Sequence, residues 1–373
     1  MKIVHVVTLV SDDGCFGGPT SVAIGHLEEL AARGHDVELV SLWRGMSTSP
    51  ERIGTVPLRS RPARALVPGR GFLGLMHPLL VKDLWRALEV VDVVHIHASR
   101  DLVSLTALAA AMLRRKPFLV QTHGMVQPRH TAVARIFDRV YVPLLRRARR
   151  YLVLTDGESR GLAEVTGAQG PPRVHLPNGV RPRSLMAARR SRRVLYLARL
   201  HPVKRPEAFV EMAALVHEQL PQVSFTMYGP DEGSLPTVQG LIADRGLEEV
   251  VSYGGALQHA AAVQAYTDAA VYVLPSATEV FPMTVVEALS TGTPVVCTDS
   301  CGIAEELADR GAALITDGSP EAMAKAVCAI LSDEALSRSL VQAGRLAVEE
   351  AFSIHAVGDR LEQVYREVVD SAA

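Results

Sequence analysis

The stretch "PSATEVFPMTVVEALSTGTPVV", Pro275–Val296, decides the reading of this chain. An apolar run precedes it, Val271–Leu274, and another closes it, Pro294–Thr298, so it reads as strand, loop, helix and strand. Pro282 is placed to open the helix, where its missing N–H costs little. Gly292 is placed to end it. The amides of Met283, Thr284 and Val285 are then left without intrahelical partners, and such a helix start attracts phosphate. Glu287 lies about one turn inside the helix, within reach of a ribose beside that phosphate. Glu279 lies on the preceding loop, facing whatever the phosphate carries. A diphosphate, a ribose and a sugar in one row describe a nucleotide-sugar. Two glutamates at this spacing also fit an ordinary strand–loop–helix unit with solvated carboxylates, so the neighbouring segments must decide.

Working outward, short apolar runs alternate with helical patterns from end to end. In the first half the strands are expected at Lys2–Val7, Asp36–Leu42, Val93–His97, Phe118–His123, Tyr151–Thr155 and Arg173–Pro177. In the second half they are expected at Val194–Leu197, Val223–Tyr228, Val250–Tyr253, Val271–Leu274, Pro294–Thr298 and Ala313–Ile315. Most are apolar throughout rather than alternating, the mark of parallel strands covered on both faces. The helices show a 3.6-residue pattern, as in "SVAIGHLEELAARG" ending on Gly34 and "PEAFVEMAALVHEQL" opening on Pro206. The fold class is therefore α/β, with doubly wound parallel sheets. The polar, basic segment Asn178–Arg193 has no periodicity and reads as a linker. Two Rossmann-like domains facing a central cleft are expected: 1–180 for the acceptor, 181–353 for a nucleotide-sugar, and a last helix, 354–373, crossing back to the first domain.

Composition narrows the function classes. The chain has 373 residues, 48% hydrophobic and 21% charged, with a formal net charge of −1. Nothing global points to nucleic acid. The four cysteines are Cys15, Cys297, Cys301 and Cys328, without zinc-type pairing, and a reducing cytoplasm is expected. The N-terminus "MKIVHVVTLV" reads as a buried strand rather than a signal peptide. No apolar run approaches the ~18 residues of a membrane span.

Further segments carry chemistry. After the first strand, Gly17 and Gly18 strip side chains from a turn just before a helix, so a ligand can approach the backbone; a plain turn fits equally. The pattern is not that of a nicotinamide dinucleotide site. In "LARLHPVKRP", Arg199 and Lys204 stand on a strand-to-helix loop, where two cations suit a departing diphosphate; solvated loop charge is the plainer reading. His123 sits at a strand tip followed by Gly124, where ligand-facing residues occur. His97 is a weaker candidate, and His95 reads as a buried core residue. No set of histidines and carboxylates shows metal-ligand spacing, so no metal is assigned. The stretch Arg135–Arg150 is basic and amphipathic. It reads as a surface helix with snorkelling arginines, with contact to anionic lipid at the inner membrane face as the alternative. The segment Leu58–Phe72 reads as a basic, irregular loop.

Together these pieces resemble the retaining glycosyltransferases of family 4, which have the GT-B fold. The resemblance rests on Gly17–Gly18, "THG" at Thr122–Gly124, "NGV" at Asn178–Val180 and "ARLHPVKRP" at Ala198–Pro206. It rests also on "YGP" at Tyr228–Pro230, "YGG" at Tyr253–Gly255, the Glu279…Glu287 pair and "GIAE" at Gly302–Glu305. It implies a hexosyltransferase moving sugar from a UDP- or GDP-linked donor to an acceptor hydroxyl, with retention and without metal or other cofactor. Polysaccharide, glycolipid or glycoconjugate synthesis is implied, or glycosylation of a small natural-product aglycone. By that resemblance Arg199 and Lys204 bind the diphosphate, Glu287 the ribose and Glu279 the transferred sugar. Met283, Thr284 and Val285 hold the distal phosphate or sugar, Tyr253 to Leu257 flank the base, and Gly229 joins the donor site. Gly18 approaches the diphosphate and His123 faces sugar and acceptor. Two positions depart from the pattern: Pro282 and Cys301 stand where the family usually has glycine. A non-hydrolysing nucleotide-sugar 2-epimerase and a non-catalytic homologue are the competing classes.

Overall fold

The computed structural model describes residues 1–12, 17–46, 48–69, 71–167, 170–182 and 191–371. Cys15 and much of the linker therefore lie outside the described residues. The chain divides into two compact units, Met1–Gly179 with Ile354–Ala373, and Val180–Ser353.

The first unit is built on an eight-stranded sheet. In spatial order its strands are Arg173–His175, Arg150–Val153, Phe118–Gln121, Val93–His97, Lys2–Ser11, Asp36–Arg44, Val56–Pro62 and Arg52–Ile53. All pair in parallel except the last, which runs antiparallel to its neighbour. Because side chains alternate across a strand, Val4 and Val6 face one core layer while Ile3 and Val7 face the other. The second layer is closed by the helix Gly17–Ala32 and by the last helix, Ile354–Asp370, which contributes Val357, Leu361, Val364, Tyr365 and Val368. Arg33 ties the two helices through Asp359 at 2.5 Å and the carbonyl of His355 at 2.8 Å.

The segment expected as an irregular basic loop from Leu58 is corrected here. Val56–Pro62 is a strand paired with Asp36–Arg44. Its arginines are not loose charge: Arg59 bonds Glu38 at 2.8 Å and Arg61 grips Asp83 through two bonds of 2.5 and 3.0 Å. Hydrogen bonding from Arg61 holds the Asp83 carboxyl below the usual carboxylate range. The strand expected at Phe118–His123 also ends earlier, at Gln121. His123 already has a positive φ of 49°, which a strand does not accommodate.

The second unit holds a six-stranded sheet in the order Val251–Tyr253, Ser224–Tyr228, Arg193–Leu197, Val271–Leu274, Val295–Thr298 and Leu314–Thr316, parallel throughout. The chain builds outward from Arg193–Leu197 in one direction, then returns and builds in the other. The strand order thus reverses between Arg193–Leu197 and Val271–Leu274. Loops leaving adjacent strands at such a point part to opposite faces and open a crevice at the carboxyl ends. In the first unit the same reversal falls between Lys2–Ser11 and Val93–His97. Among the described residues no helix is long and apolar enough to cross a membrane.

Candidate active site

The crevice of the second unit is framed by three strand ends held in register past the sheet. The Ala198 amide donates to the Tyr228 carbonyl at 3.1 Å, and the Gly229 amide to the Gly255 carbonyl at 2.8 Å. The Tyr253 hydroxyl donates to the Gly229 carbonyl at 2.8 Å. Gly229 has φ 143°, and a Cβ there would overlap the Ala198 carbonyl oxygen. Only glycine lets these two backbones touch. The result is a cavity of about 270 Å³ lined by Leu197, Ala198, Arg199, Lys204, Tyr228, Gly229, Pro230, Ala256, Leu257 and Thr284.

Five residues singled out from sequence thus share one cavity: Arg199, Lys204, Gly229, Leu257 and Thr284. Tyr253 does not line it; its hydroxyl instead fixes Gly229. Lys204 sits at the end of a short 3₁₀ turn, Pro202–Lys204, capped by the His201 side chain. Its ammonium bonds Oε1 of Glu279, which also accepts from Ser276 Oγ at 2.9 Å. Both side chains are largely buried, at 17% and 12% exposure. Arg199 pairs with Glu232 at 2.6 Å in an exposed position, and Glu232 carried no sequence signal beyond its charge.

The Glu279 loop is pinned from behind. The Gly302 amide donates to the Glu279 carbonyl at 2.8 Å, and Thr298 Oγ1 and Ser300 Oγ both donate to the Ser276 carbonyl. Cys301 is buried within this bridge, as is Cys297 on the adjoining strand. The position is one of packing.

The helix after this loop runs Met283–Ser290, with Pro282 as its N-cap rather than its first residue. This corrects one assignment. The Val285 amide is not left for a ligand, because it donates to the Pro282 carbonyl at 3.1 Å, and the Val285 side chain is fully buried. Among the described residues the amides of Met283 and Thr284 keep no acceptor. Glu287 faces the hydroxyl of Tyr266, 3.5 Å away. Tyr266 belongs to a floor of buried tyrosines that the sequence did not reveal: Tyr196 donates to the Arg199 carbonyl at 3.0 Å and Tyr272 to the Leu197 carbonyl at 3.2 Å. Burial pushes all three phenols well up, so they remain donors.

The first unit holds the remaining candidates. Gly17 and Gly18 open the helix Gly17–Ala32, and nothing lies within 4 Å of a Cβ built on Gly18. His123 shares a hydrogen bond of 2.7 Å with His97. Burial pushes His123 down to about 3, so its ring is neutral at physiological pH. The turn that carries it depends on a residue not foreseen, Glu158. This buried carboxylate accepts from Thr122 Oγ1 at 2.5 Å, the Gly124 amide at 2.6 Å and the Leu154 amide at 2.7 Å. The sequence signal was available: Thr155 followed three residues later by Glu158 at a helix start.

The comparisons with known proteins bear on this geometry. Residues 16–184 match the model described as Glycosyltransferase Family 4, and residues 182–347 match that of Glycosyl transferases group 1. The chain is 26% identical to a phosphatidyl-myo-inositol mannosyltransferase of Mycobacterium leprae, over 96% of this chain and 95% of that protein. It is 28% identical to a D-inositol 3-phosphate glycosyltransferase of Paenarthrobacter aurescens over 51% of this chain, and it spans less than half, 46%, of that relative. Among solved structures, Anabaena HepE in complex with UDP superposes with a TM-score of 0.78 at 17% identity, covering 98% of this chain and 100% of that one. A sucrose-phosphate synthase from Thermosynechococcus elongatus gives 0.73 at 20% identity, covering 99% of each chain. The chain belongs to the glycosyltransferases of group 1 and family 4, retaining enzymes of the GT-B fold.

The close approach at Gly229 generates a prediction. Gly229→Ala forces its Cβ against the Ala198 carbonyl, so the loop carrying Arg199 must shift. Affinity for free nucleoside diphosphate, measured by calorimetry, is expected to fall by about tenfold or more, the scale of ~1.4 kcal/mol, while the circular dichroism spectrum stays native. Unchanged affinity would show that the cavity is not where the nucleotide binds.

Proposed function

We propose that the protein transfers a hexose from a nucleoside-diphosphate sugar to an acceptor hydroxyl, with retention at the anomeric carbon and without a catalytic metal. The observation that carries this reading is the convergence of Arg199, Lys204 and the helix start at Thr284 on one cavity at the switch point of the second unit. The diphosphate takes Arg199, Lys204 and the amides of Met283 and Thr284. Exchanging Glu232 for phosphate at Arg199 costs little, because an exposed ion pair is worth only about 0–1 kcal/mol. Glu279 uses Oε1 for Lys204 and Ser276, so Oε2 is the oxygen offered to a sugar hydroxyl. Glu287 holds the ribose. The base lies along Pro230 and Leu257, with Tyr253 acting through Gly229.

In the reaction the bond from the anomeric carbon to the diphosphate oxygen breaks. The acceptor oxygen bonds the same face, and its proton passes to the departing diphosphate. The charge that develops on the diphosphate is met by preorganised cations and amides, the largest single contribution in such transfers. UDP is the favoured carrier, supported by the structures of Anabaena HepE in complex with UDP and with UDP-glucose. The acceptor is proposed to be lipid-linked. The mannosyltransferase relative supports this by name. So does the helix Ala132–Leu145, which exposes Ile136 and Val140 at 65% and 58% beside the exposed Arg135 and Arg139. A peripheral membrane contact fits that apolar and basic face.

Arg199→Ala and Lys204→Ala are each expected to lower kcat by about 10²-fold, the scale of one lost preorganised donor. Glu287→Ala is expected to weaken binding of free UDP, whereas Glu279→Ala spares it and damages transfer. Near-native turnover in both cation variants would place the diphosphate elsewhere.

Stereochemistry and metal dependence form a separate check. Transfer is expected to survive excess EDTA added to the folded enzyme, and an α-linked donor should give an α-glycoside by the one-bond carbon–proton coupling. Activity abolished by EDTA and restored by magnesium, or a β-linked product, would overturn the corresponding half of the proposal.

For the membrane contact, the affinity for vesicles containing anionic lipid, read by sedimentation, is expected to fall by at least about 30-fold in Arg135→Glu/Arg139→Glu, at about 1 kcal/mol per basic residue lost. Equal sedimentation would remove that helix from the acceptor reading.

A further inference from the structure

Four histidines from distant parts of the chain meet inside the first unit: His5, His26, His95 and His97. His5 lies opposite His95 in the parallel ladder, and His97 follows on the same face of the same strand. His26 comes down from the helix Gly17–Ala32. All four are at most 2% exposed. One ring nitrogen from each lies within 4.8 Å of the others. The rings of His5, His95 and His97 are 4.3 to 5.0 Å apart between centroids, and His26 stands 6.2 Å from each of the three. We propose that these four side chains bind one divalent transition-metal ion of the zinc class, as a structural site.

The hydrogen-bond partners argue for it. Tyr365 Oη lies 2.8 Å from His5 Nε2 and 2.7 Å from His95 Nδ1. A phenol oxygen has two lone pairs, so both imidazoles can donate to it. His97 Nδ1 lies 2.7 Å from His123 Nε2 and can donate there. These tautomers leave His5 Nδ1, His95 Nε2 and His97 Nε2 as lone pairs turned inward. His5 Nδ1 and His97 Nε2 then face each other at 3.0 Å. Two bare lone pairs at that distance repel unless a cation sits against both. The separation is close to the ~3.3 Å between nitrogens of a tetrahedral zinc site with bonds of about 2.0 Å.

Without an ion, His5 and His97 must share a proton. That arrangement still leaves both nitrogens of His26 buried and without a hydrogen-bond partner among the described residues, and leaves His95 Nε2 with only the Gln121 side chain beside it. Buried polar atoms are rarely left so. Tyr365 and His123 would fix ring orientation and tautomer from outside, as outer partners of ligating histidines do. An all-nitrogen, carboxylate-free set suits zinc, cobalt, nickel or copper and not magnesium or calcium. The ion's charge stays uncompensated, so the affinity is expected to be weaker than at a thiolate site.

The full chain grown with zinc and then gel-filtered is expected to carry one zinc per chain by elemental analysis. Unfolded and refolded in chelator, it should take up Co²⁺ with the visible d–d bands of a tetrahedral site. Its Tm should rise with added Zn²⁺. His26→Leu, which keeps an apolar side chain of similar bulk on the covering helix, should bind Zn²⁺ at least about 100-fold more weakly and lose the Zn²⁺-dependent rise. His130→Ala, at an exposed position, should behave as wild type. His26→Gln replaces the leucine variant if the latter fails to fold, and the same loss is expected. Wild type that takes up no ion with Tm unmoved at tenfold excess Zn²⁺ overturns the proposal. So does binding by the folded His26 variant equal to that of wild type, which would mean surface histidines only.

Discussion

The bond between Lys204 and Glu279 is the constraint on which the candidate site turns. The two residues sit on loops that follow neighbouring strands, and the bond joins those loops together with the Ala277 amide, which donates to the Val203 carbonyl at 2.8 Å. Both side chains are largely withdrawn from water. Each therefore depends on the other: leaving one buried charge alone costs about 3–5 kcal/mol. The pair places an ammonium and a carboxylate side by side at the mouth of a cavity, an arrangement suited to a ligand that carries an anionic and a hydroxylated part. The rest of the second unit serves that placement. Tyr196 and Tyr272 anchor the loop stem from below, and Ser276 with the Ser300–Gly302 segment holds the carboxylate from behind.

Backbone, rather than side chains, shapes the adjoining wall. At Gly229 the chain turns against the Ala198 carbonyl, and the Tyr253 hydroxyl seals the contact. A sequence reader can see a glycine after a strand and suspect close approach. That Tyr253 works through Gly229 and not on the ligand is a matter of a single hydroxyl's direction, which no periodicity encodes.

Much of the fold was legible because its strands are buried on both faces. Val271–Leu274 and Val295–Thr298 are almost wholly apolar, with only Tyr272 and Thr298 bonding beyond the ladder, so composition marks them. The strand Val56–Pro62 escaped because its arginines look like loop charge until Glu38 and Asp83 are known to lie beside them, and that is tertiary information. Glu232, Glu158 and the buried tyrosines escaped for the same reason: each acts through a partner many residues away. The Val285 amide was misjudged for a local reason. A proline N-cap leaves its carbonyl free to take the third amide as well as the fourth, which shortens the set available to an anion. The histidines were visible singly, but no ligand spacing links positions 5, 26, 95 and 97; only the parallel register and one covering helix bring them together.

The last helix, Ile354–Asp370, has a consequence for how the protein comes into being. It supplies Leu361 and Tyr365 to the core of the first unit, yet a ribosome delivers it only after every residue of the second. The first unit therefore emerges with one side of its sheet covered by the helix Gly17–Ala32 alone, and two buried histidines wait for their phenol through the synthesis of some 170 residues. At about 5–20 residues per second that interval is on the order of ten to thirty seconds. During it, the part of that apolar face not covered by the helix Gly17–Ala32 is open to chaperones and to neighbouring nascent chains. Vectorial synthesis thus makes the second unit, translated later, the one able to complete its own core first.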